Sequence, residues 1–223
     1  MADESQVTPS AFNCEGGLVL NKSTFMMQPG EALELENFEP DIEGGYRRIS
    51  GYSKYVSVVV PYTSSASEKV LMVATFGSNV LAARGTSIYS ATPGGSSWTS
   101  IDSGRTGAGK YRFERFNFDG TDKIIFVDGT NAPVVFNSSL SATDVSNSSV
   151  AGATYISIFR DHMFYAGMSS TPQEVVFSVP FDEDNFSSGS GAGSFKVDDT
   201  IVGLKVFRDG LFVFCERRRG YKR

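Results

Sequence analysis

Histidine, tryptophan and cysteine are nearly missing from these 223 residues, which hold one His, one Trp and two Cys. With a single imidazole, His162, there is no pair of histidines to share a metal, and no Gly-x-Ser-x-Gly turn accompanies it as a nucleophile. His162 opens an apolar run and is read as a strand-edge residue. Cys14 and Cys215 lie at opposite ends of the chain without CxxC spacing, so two reduced thiols made in a cytosol are expected. Long apolar runs are absent too. The longest, Val56 to Val60, is interrupted by Ser57 and is far short of a bilayer span, and the polar start MADESQVTPS has neither the basic nor the apolar region of a secretory signal. Clustered positive charge is also scarce: 20 Lys and Arg stand against 25 Asp and Glu, a formal net charge of −5. A protein that coats nucleic acid by wholesale phosphate neutralisation is therefore not expected.

What the chain has instead is 18 Phe, 9 Tyr and 23 Gly, strand formers together with turn formers. Beyond a flexible first ten residues, 11–54 carries apolar side chains with no sustained 3.6 or 2.0 period, which predicts an extended arm. Gly16-Gly17 and Gln28-Pro29-Gly30 mark turns within it, and Glu31 to Phe38 reads as a strand or one helical turn, with strand the favoured reading. From residue 55 the pattern changes to short β-branched and aromatic runs bounded by Gly, Ser, Asn or Asp. Strands are predicted over 54–61, 69–76, 79–84, 87–91, 111–118, 123–127, 133–137, 155–159, 162–166, 174–179, 194–197, 201–207 and 211–215. No stretch offers an amphipathic helix of three turns.

Four of these strands align as a weak repeat: Lys69-Val-Leu-Met-Val-Ala, Lys123-Ile-Ile-Phe-Val-Asp, His162-Met-Phe-Tyr-Ala-Gly and Gly210-Leu-Phe-Val-Phe-Cys. Their starts are 54, 39 and 48 residues apart. The last two follow the same tripeptide, Phe159-Arg160-Asp161 and Phe207-Arg208-Asp209. Spacings near 40–50 residues suit four-stranded propeller blades, in which one meander exposes an apolar face that only the next can cover. A β-sandwich of meanders is the competing reading. The expected architecture is all-β: an extended arm over 1–54, then a propeller-like array of antiparallel β-meanders over 55–223, three to four blades with the last incomplete. An incomplete last blade leaves an edge, to be paired by an N-terminal strand or by a continuation of the chain.

Tested for chemistry, the chain offers fragments of sites. Gly104-Arg-Thr-Gly-Ala-Gly109-Lys110 satisfies seven positions of a phosphate-binding loop, but Tyr111 replaces the Ser or Thr that holds magnesium, and a strand follows where a helix should open. Asp182-Glu183-Asp184-Asn185 is acidic but lacks the twelve-residue loop and glycine of an EF-hand, and reads as a solvated turn. No pair of carboxylates is singled out for glycoside cleavage. Trp98, after Pro93-Gly-Gly-Ser-Ser, reads as a packing residue. The tight basic groups are Arg47-Arg48 and Arg217 to Arg219. The chain is therefore not expected to be an enzyme, and no cofactor or metal is implied.

Taken in order, Ala11-Phe-Asn-Cys-Glu-Gly-Gly-Leu18, Met27-Gln-Pro-Gly-Glu-Ala-Leu33, Glu36-Asn-Phe38 and Gly45-Tyr-Arg-Arg-Ile-Ser-Gly51 resemble the opening of bacteriophage tail-nozzle or packaged-DNA stabilisation proteins. Ile158 to Gly167, Glu174 to Ser178, Asn185-Phe186 and Ile201 to Phe214 resemble the same family's blade sequence, so the similarity spans most of the chain. The resemblance implies a non-catalytic virion subunit in a tail nozzle or head–tail connector of a short-tailed phage. Such a subunit is made in the host cytoplasm, forms a ring with copies of itself below the portal or tail-adaptor proteins, and helps retain or conduct DNA. Members of that family usually run longer, and another apolar strand is expected where Arg217-Arg218-Arg219-Gly220 stands, which suggests a truncated member. Subunit-interface or DNA-facing candidates are Phe12, Leu18, Phe25, Arg47 and Arg48. The alternative is a propeller-type tail protein that binds or cleaves glycans, which requires acids and aromatics converging in one pocket.

Overall fold

The computed structural model describes residues 16–41, 45–61, 69–106 and 109–216. Two units are distinguished, Met1–Ser53 and Lys54–Arg223. Phe12, Cys14 and Arg217 to Arg219 lie outside the described residues.

The first unit is an arm with two minimal sheets. β1 (Gly17–Leu18) pairs in parallel with β2 (Glu31–Ala32), and β3 (Phe38–Pro40) forms a hairpin with β4 (Tyr46–Arg48). The expected continuous strand over 31–38 is broken between Ala32 and Phe38, where Asn37 takes a left-handed conformation (φ 61°). Its glutamates alternate with apolar residues, but no partner strand runs along them.

In the second unit, three four-stranded antiparallel meanders and a hairpin follow one another. The first contains β5 (Val70–Phe76), β6 (Asn79–Arg84), β7 (Ser87–Ala91) and β8 (Thr99–Asp102). The second contains β9 (Arg112–Phe116), β10 (Lys123–Val127), β11 (Val134–Phe136) and β12 (Ala142–Asp144). The third contains β13 (Tyr155–Phe159), β14 (His162–Met168), β15 (Thr171–Phe177) and β16 (Gly193–Lys196). β17 (Ile201–Phe207) and β18 (Gly210–Cys215) form a two-stranded sheet. Among the described residues there is no α-helix, and no helix is long and apolar enough to cross a membrane.

The packing explains why the second strands are apolar without a break. In β10, Ile124 and Phe126 join Met72, Ala74, Leu81 and Ile88 of the first sheet, whereas Ile125 and Val127 join Ile156, Met163 and Tyr165 of the third. In β14, Met163 and Tyr165 face the second sheet, while Phe164 and Ala166 face Ile201, Leu204, Leu211 and Val213 of the hairpin. A sheet covered on both sides loses the usual alternation of apolar and polar residues, because neither face meets water. Consecutive sheets draw together at their first strands: Cα atoms of β13 lie within 8 Å of both β9 and β17. The array is thus propeller-like, with β9, β13 and β17 on the crowded side.

Each first strand ends on a phenylalanine, Phe76, Phe116, Phe159 and Phe207, just before its hairpin turn. The turn after Phe159 places both Arg160 (φ 48°) and Asp161 (φ 64°) in the left-handed region, whereas after Phe207 Arg208 (φ 52°) lies there and Asp209 does not. Such two-residue turns match strand twist but favour Asn-Gly. Gly167 (φ 75°) supplies the bulge between Ala166 and Met168, where a Cβ would lie 2.6 Å from the Tyr155 ring.

Two differences from expectation have physical causes. The 54–61 segment is not a strand but an irregular strap. The Ser57 N–H donates to the Gly95 carbonyl (3.1 Å), and the Gly94 N–H donates to that of Tyr55 (2.8 Å). Trp98 Nε1 donates to Val58 O (3.0 Å), and Arg84 Nη1 to Val60 O (2.6 Å). The strap thereby runs along the side of the first sheet away from β9–β12, where Ala82, Tyr89 and Ala91 are buried. The fourth strands β8 and β12 carry Thr-Ser-Ile-Asp and Ala-Thr-Asp, edge sequences too polar to announce themselves. Phe126, buried between two sheets and in edge contact with Phe113 and Phe136, tests this packing. Phe126→Ala lowers the unfolding free energy in urea titrations by about 3–5 kcal/mol, while Phe212→Ala, half-exposed on the last hairpin, costs about 1 kcal/mol or less.

Candidate functional site

The described residues of the phosphate-loop fragment, 104–106 and 109–110, make their contacts within the protein. Arg105 is 5% exposed and holds three carbonyl or carboxylate groups. Its Nε donates to Asp102 Oδ2, its Nη1 to Ala132 O (2.8 Å) and its Nη2 to Asp144 Oδ1 (2.5 Å). Asp102 ends β8 and Asp144 ends β12, so a single guanidinium ties the outer strands of the first two sheets. Burial alone would lower the Arg105 pKa, but the bonds to Asp102 and Asp144 outweigh it and hold the charge more firmly than usual. The Gly109 N–H, one of the amides a phosphate would need, donates to Asp128 O at 3.2 Å. Tyr111 is buried, and its hydroxyl pKa is raised by burial and by the neighbouring Asp128 charge. Asp128 in turn accepts from the N–H groups of Thr130 (2.8 Å) and Asn131 (2.7 Å).

A second clasp joins the second and third sheets. Lys123 Nζ donates to Glu183 Oε1 (2.8 Å) and pairs with Asp119 Oδ2 (3.0 Å). Burial opposes its charge, yet those two hydrogen bonds raise its pKa. The acidic turn thus spends its groups on the protein itself: Asp184 accepts from the Ser146 N–H, and Asp182 from the Asp184 N–H. Among the described residues no three His, Cys, Asp or Glu groups converge on a metal position. His162 Nδ1 lies 2.6 Å from Ser178 O, with its ring against Phe164 and Phe177, which is the place of a packed edge histidine.

Of the surface candidates, Leu18 lies in β1 and is half-exposed, and Phe25 sits in a 3-10 turn, Thr24–Met26, at 98% exposure. Arg47 and Arg48 are adjacent in β4. Arg47 is paired with Glu39 at 2.8 Å, and Arg48 lies opposite Phe38. All four of these residues belong to the first unit.

The most distinctive surface was not among them. On β17–β18 the register places Phe214 opposite Gly203, Phe212 opposite Lys205 and Phe207 opposite Gly210, all on the side away from the third sheet. Phe207, Phe212 and Phe214 are 60%, 49% and 52% exposed. The alternation Leu211-Phe212-Val213-Phe214 carried the signal: two apolar faces in one strand, of which the described residues cover only one. Arg160 and Arg208 sit over the rings of Phe159 and Phe207 at 5.2 and 5.4 Å, so the two strained hairpin tips present equivalent guanidinium groups.

No family model matches the sequence, and no curated protein matches it. Among solved structures, a chain from the S. cerevisiae complex of Dbp5 with Nup159, Gle1, IP6 and ADP is similar at 9% identity and a TM-score of 0.44. The match covers 69% of this chain and 41% of that one, a likeness too slight to carry an argument.

Two substitutions test the electrostatics. Arg105→Ala strands two carboxylates and a carbonyl, and lowers the unfolding free energy by about 3 kcal/mol in denaturant titrations, Asp144 being open to solvent. Glu114 is the opposite case. Burial raises its pKa above the ordinary 4.5, only partly offset by Lys205. The folded chain therefore holds this proton to higher pH than the unfolded one, and stability is lost as pH rises above that value. Glu114→Gln accordingly raises the melting temperature at pH 7, with the gain over the parent disappearing below about pH 4.

Proposed function

We propose that this chain is a non-catalytic structural subunit of a virion, placed in the tail nozzle or head–tail connector of a short-tailed bacteriophage, where it helps retain or conduct packaged DNA. The observation that carries the reading is the face of β17–β18 on which, among the described residues, Phe207, Phe212 and Phe214 are exposed. Exposed aromatics clustered on one sheet face mark a protein-contact surface. The ordered sequence resemblance across most of the chain supplies the kind of assembly. The architecture agrees with a scaffolding role, since the buried Arg105 and the partly buried Lys123 are consumed in tying sheet to sheet.

The charge balance fits a conduit. A subunit of net charge −5 offers phosphates no general attraction, so DNA passing a wall of such subunits is not gripped, and repulsion fades within about 8–10 Å at physiological salt. In a ring, copies contact one another and the portal or adaptor above them through exposed apolar groups of the arm and of the last hairpin.

Analytical ultracentrifugation and electron microscopy of the full chain with a purified portal–adaptor complex test this reading. The expected result is a ring-shaped complex that is lost in the double variant Phe207→Ser, Phe212→Ser. A chain that stays monomeric beside the portal complex, or one that cleaves a polysaccharide, overturns it.

A further inference from the structure

A groove of 570 Å³ lies where the turn that leaves the second sheet meets the outer strands of the third. Asn147 and Ser149 line it from the turn, Glu174 and Ser194 from β15 and β16, and Val176 and the Phe186 ring make it partly apolar. These walls are fixed by the protein's own packing. Asn147 Oδ1 accepts from the Ser149 N–H (2.9 Å) and hydroxyl (2.6 Å), and Val150 beside them is fully buried. Phe186 packs on Tyr165 with ring centroids 5.7 Å apart. Gly193 in β16 leaves room for the Phe177 ring, from which a Cβ would lie only 2.9 Å. The polar groups are less committed than the apolar ones. Ser194 Oγ donates to Glu174 Oε1 (2.7 Å), but among the described residues no hydrogen bond engages Glu174 Oε2, the Asn147 side-chain nitrogen or the Ser170 and Thr171 hydroxyls. Two other grooves differ. The one beside Phe76 (410 Å³) holds Arg115 and Lys123, of which Arg115 is bonded to Thr75 and Lys123 to Asp119 and Glu183. The one along β7 and β8 (550 Å³) is lined by neither a charged nor an aromatic side chain.

We propose that this groove binds a neutral saccharide unit and leaves its glycosidic bond intact. An acid and two aromatic rings share one pocket here, which is what glycan recognition requires. Aromatic and aliphatic surface takes the C–H face of a pyranose ring, while the open carboxylate oxygen accepts from its hydroxyls and the Asn147 amide donates to them. The volume falls within the span of about 300–1,000 Å³ that small-ligand sites occupy. Glu174 is the one ionisable side chain among the described residues lining the groove, so uronates, sialates and phosphates meet a like charge. A single carboxylate supplies no acid–base or acid–nucleophile pair, so binding does not lead to cleavage. The inference holds whether or not the chain belongs to a phage tail.

The probes are maltotriose, cellotriose, triacetylchitotriose and lactose, with sialyllactose as the anionic counterpart, each titrated into the isotope-labelled full chain and followed by amide NMR. Saturable shifts at Thr171, Ser188 and Ser194 are expected with at least one neutral sugar, and none with sialyllactose. Glu174→Gln weakens that binding about tenfold by removing a charged acceptor. Ser194→Leu, which fills the groove and removes its hydroxyl, abolishes binding, whereas Ser97→Leu in the 550 Å³ groove changes nothing. Ser194 and Ser97 are exposed, so both leucine variants keep the parent's spectrum away from the substituted groove. Absence of saturable shifts with every neutral sugar, stronger shifts with sialyllactose, or binding indifferent to both Glu174→Gln and Ser194→Leu would each overturn the proposal.

Discussion

Burial of both faces of each meander's second strand is the constraint on which the second unit depends. β10 and β14 carry large apolar side chains in succession, Ile124-Ile125-Phe126-Val127 and Met163-Phe164-Tyr165-Ala166. No single sheet can remove both rows from water, so each sheet requires a neighbour on either side, and stability is shared between adjacent pairs as in other repeat proteins. Three separate apolar layers result, one for each successive pair of sheets. On β17–β18 the same strand composition recurs, and among the described residues only one of its two faces is covered, leaving Phe207, Phe212 and Phe214 exposed.

Polar groups set the register between layers. Apolar faces can slide, and a guanidinium held by Asp102, Asp144 and the Ala132 carbonyl cannot. Lys123 does the same between the second and third sheets, and Arg112 lies over the Tyr155 ring at 4.5 Å on the crowded side of that pair. These ties are far apart in sequence, so they report on correct stacking and not on local strand formation.

This division explains what the sequence disclosed. Strands with a local signature, such as 79–84, 87–91, 123–127, 155–159 and 201–207, are legible to the residue, because β-branched runs end at Gly, Asp or Asn turns. Thr99–Asp102 and Ala142–Asp144 are not, since an outer strand half in water needs no apolar pattern. Val56 to Val60 misleads for the converse reason: its composition is that of a strand, but its hydrogen bonds go to the 92–98 loop and Arg84. The role of Arg105 was hidden inside a glycine-rich stretch that resembles a phosphate loop, because its partners lie 27 and 39 residues downstream. The phenylalanine face was written in the alternation of 211–214, but that pattern alone does not say which of the two apolar faces the third sheet covers.

One face of the first sheet is lined by the chain's own backbone over residues 55–60, fastened to Gly94, Gly95, Trp98 and Arg84. A layer brought against that face would meet this backbone before it met Ala82, Tyr89 and Ala91, so stacking there requires the strap to be peeled away first.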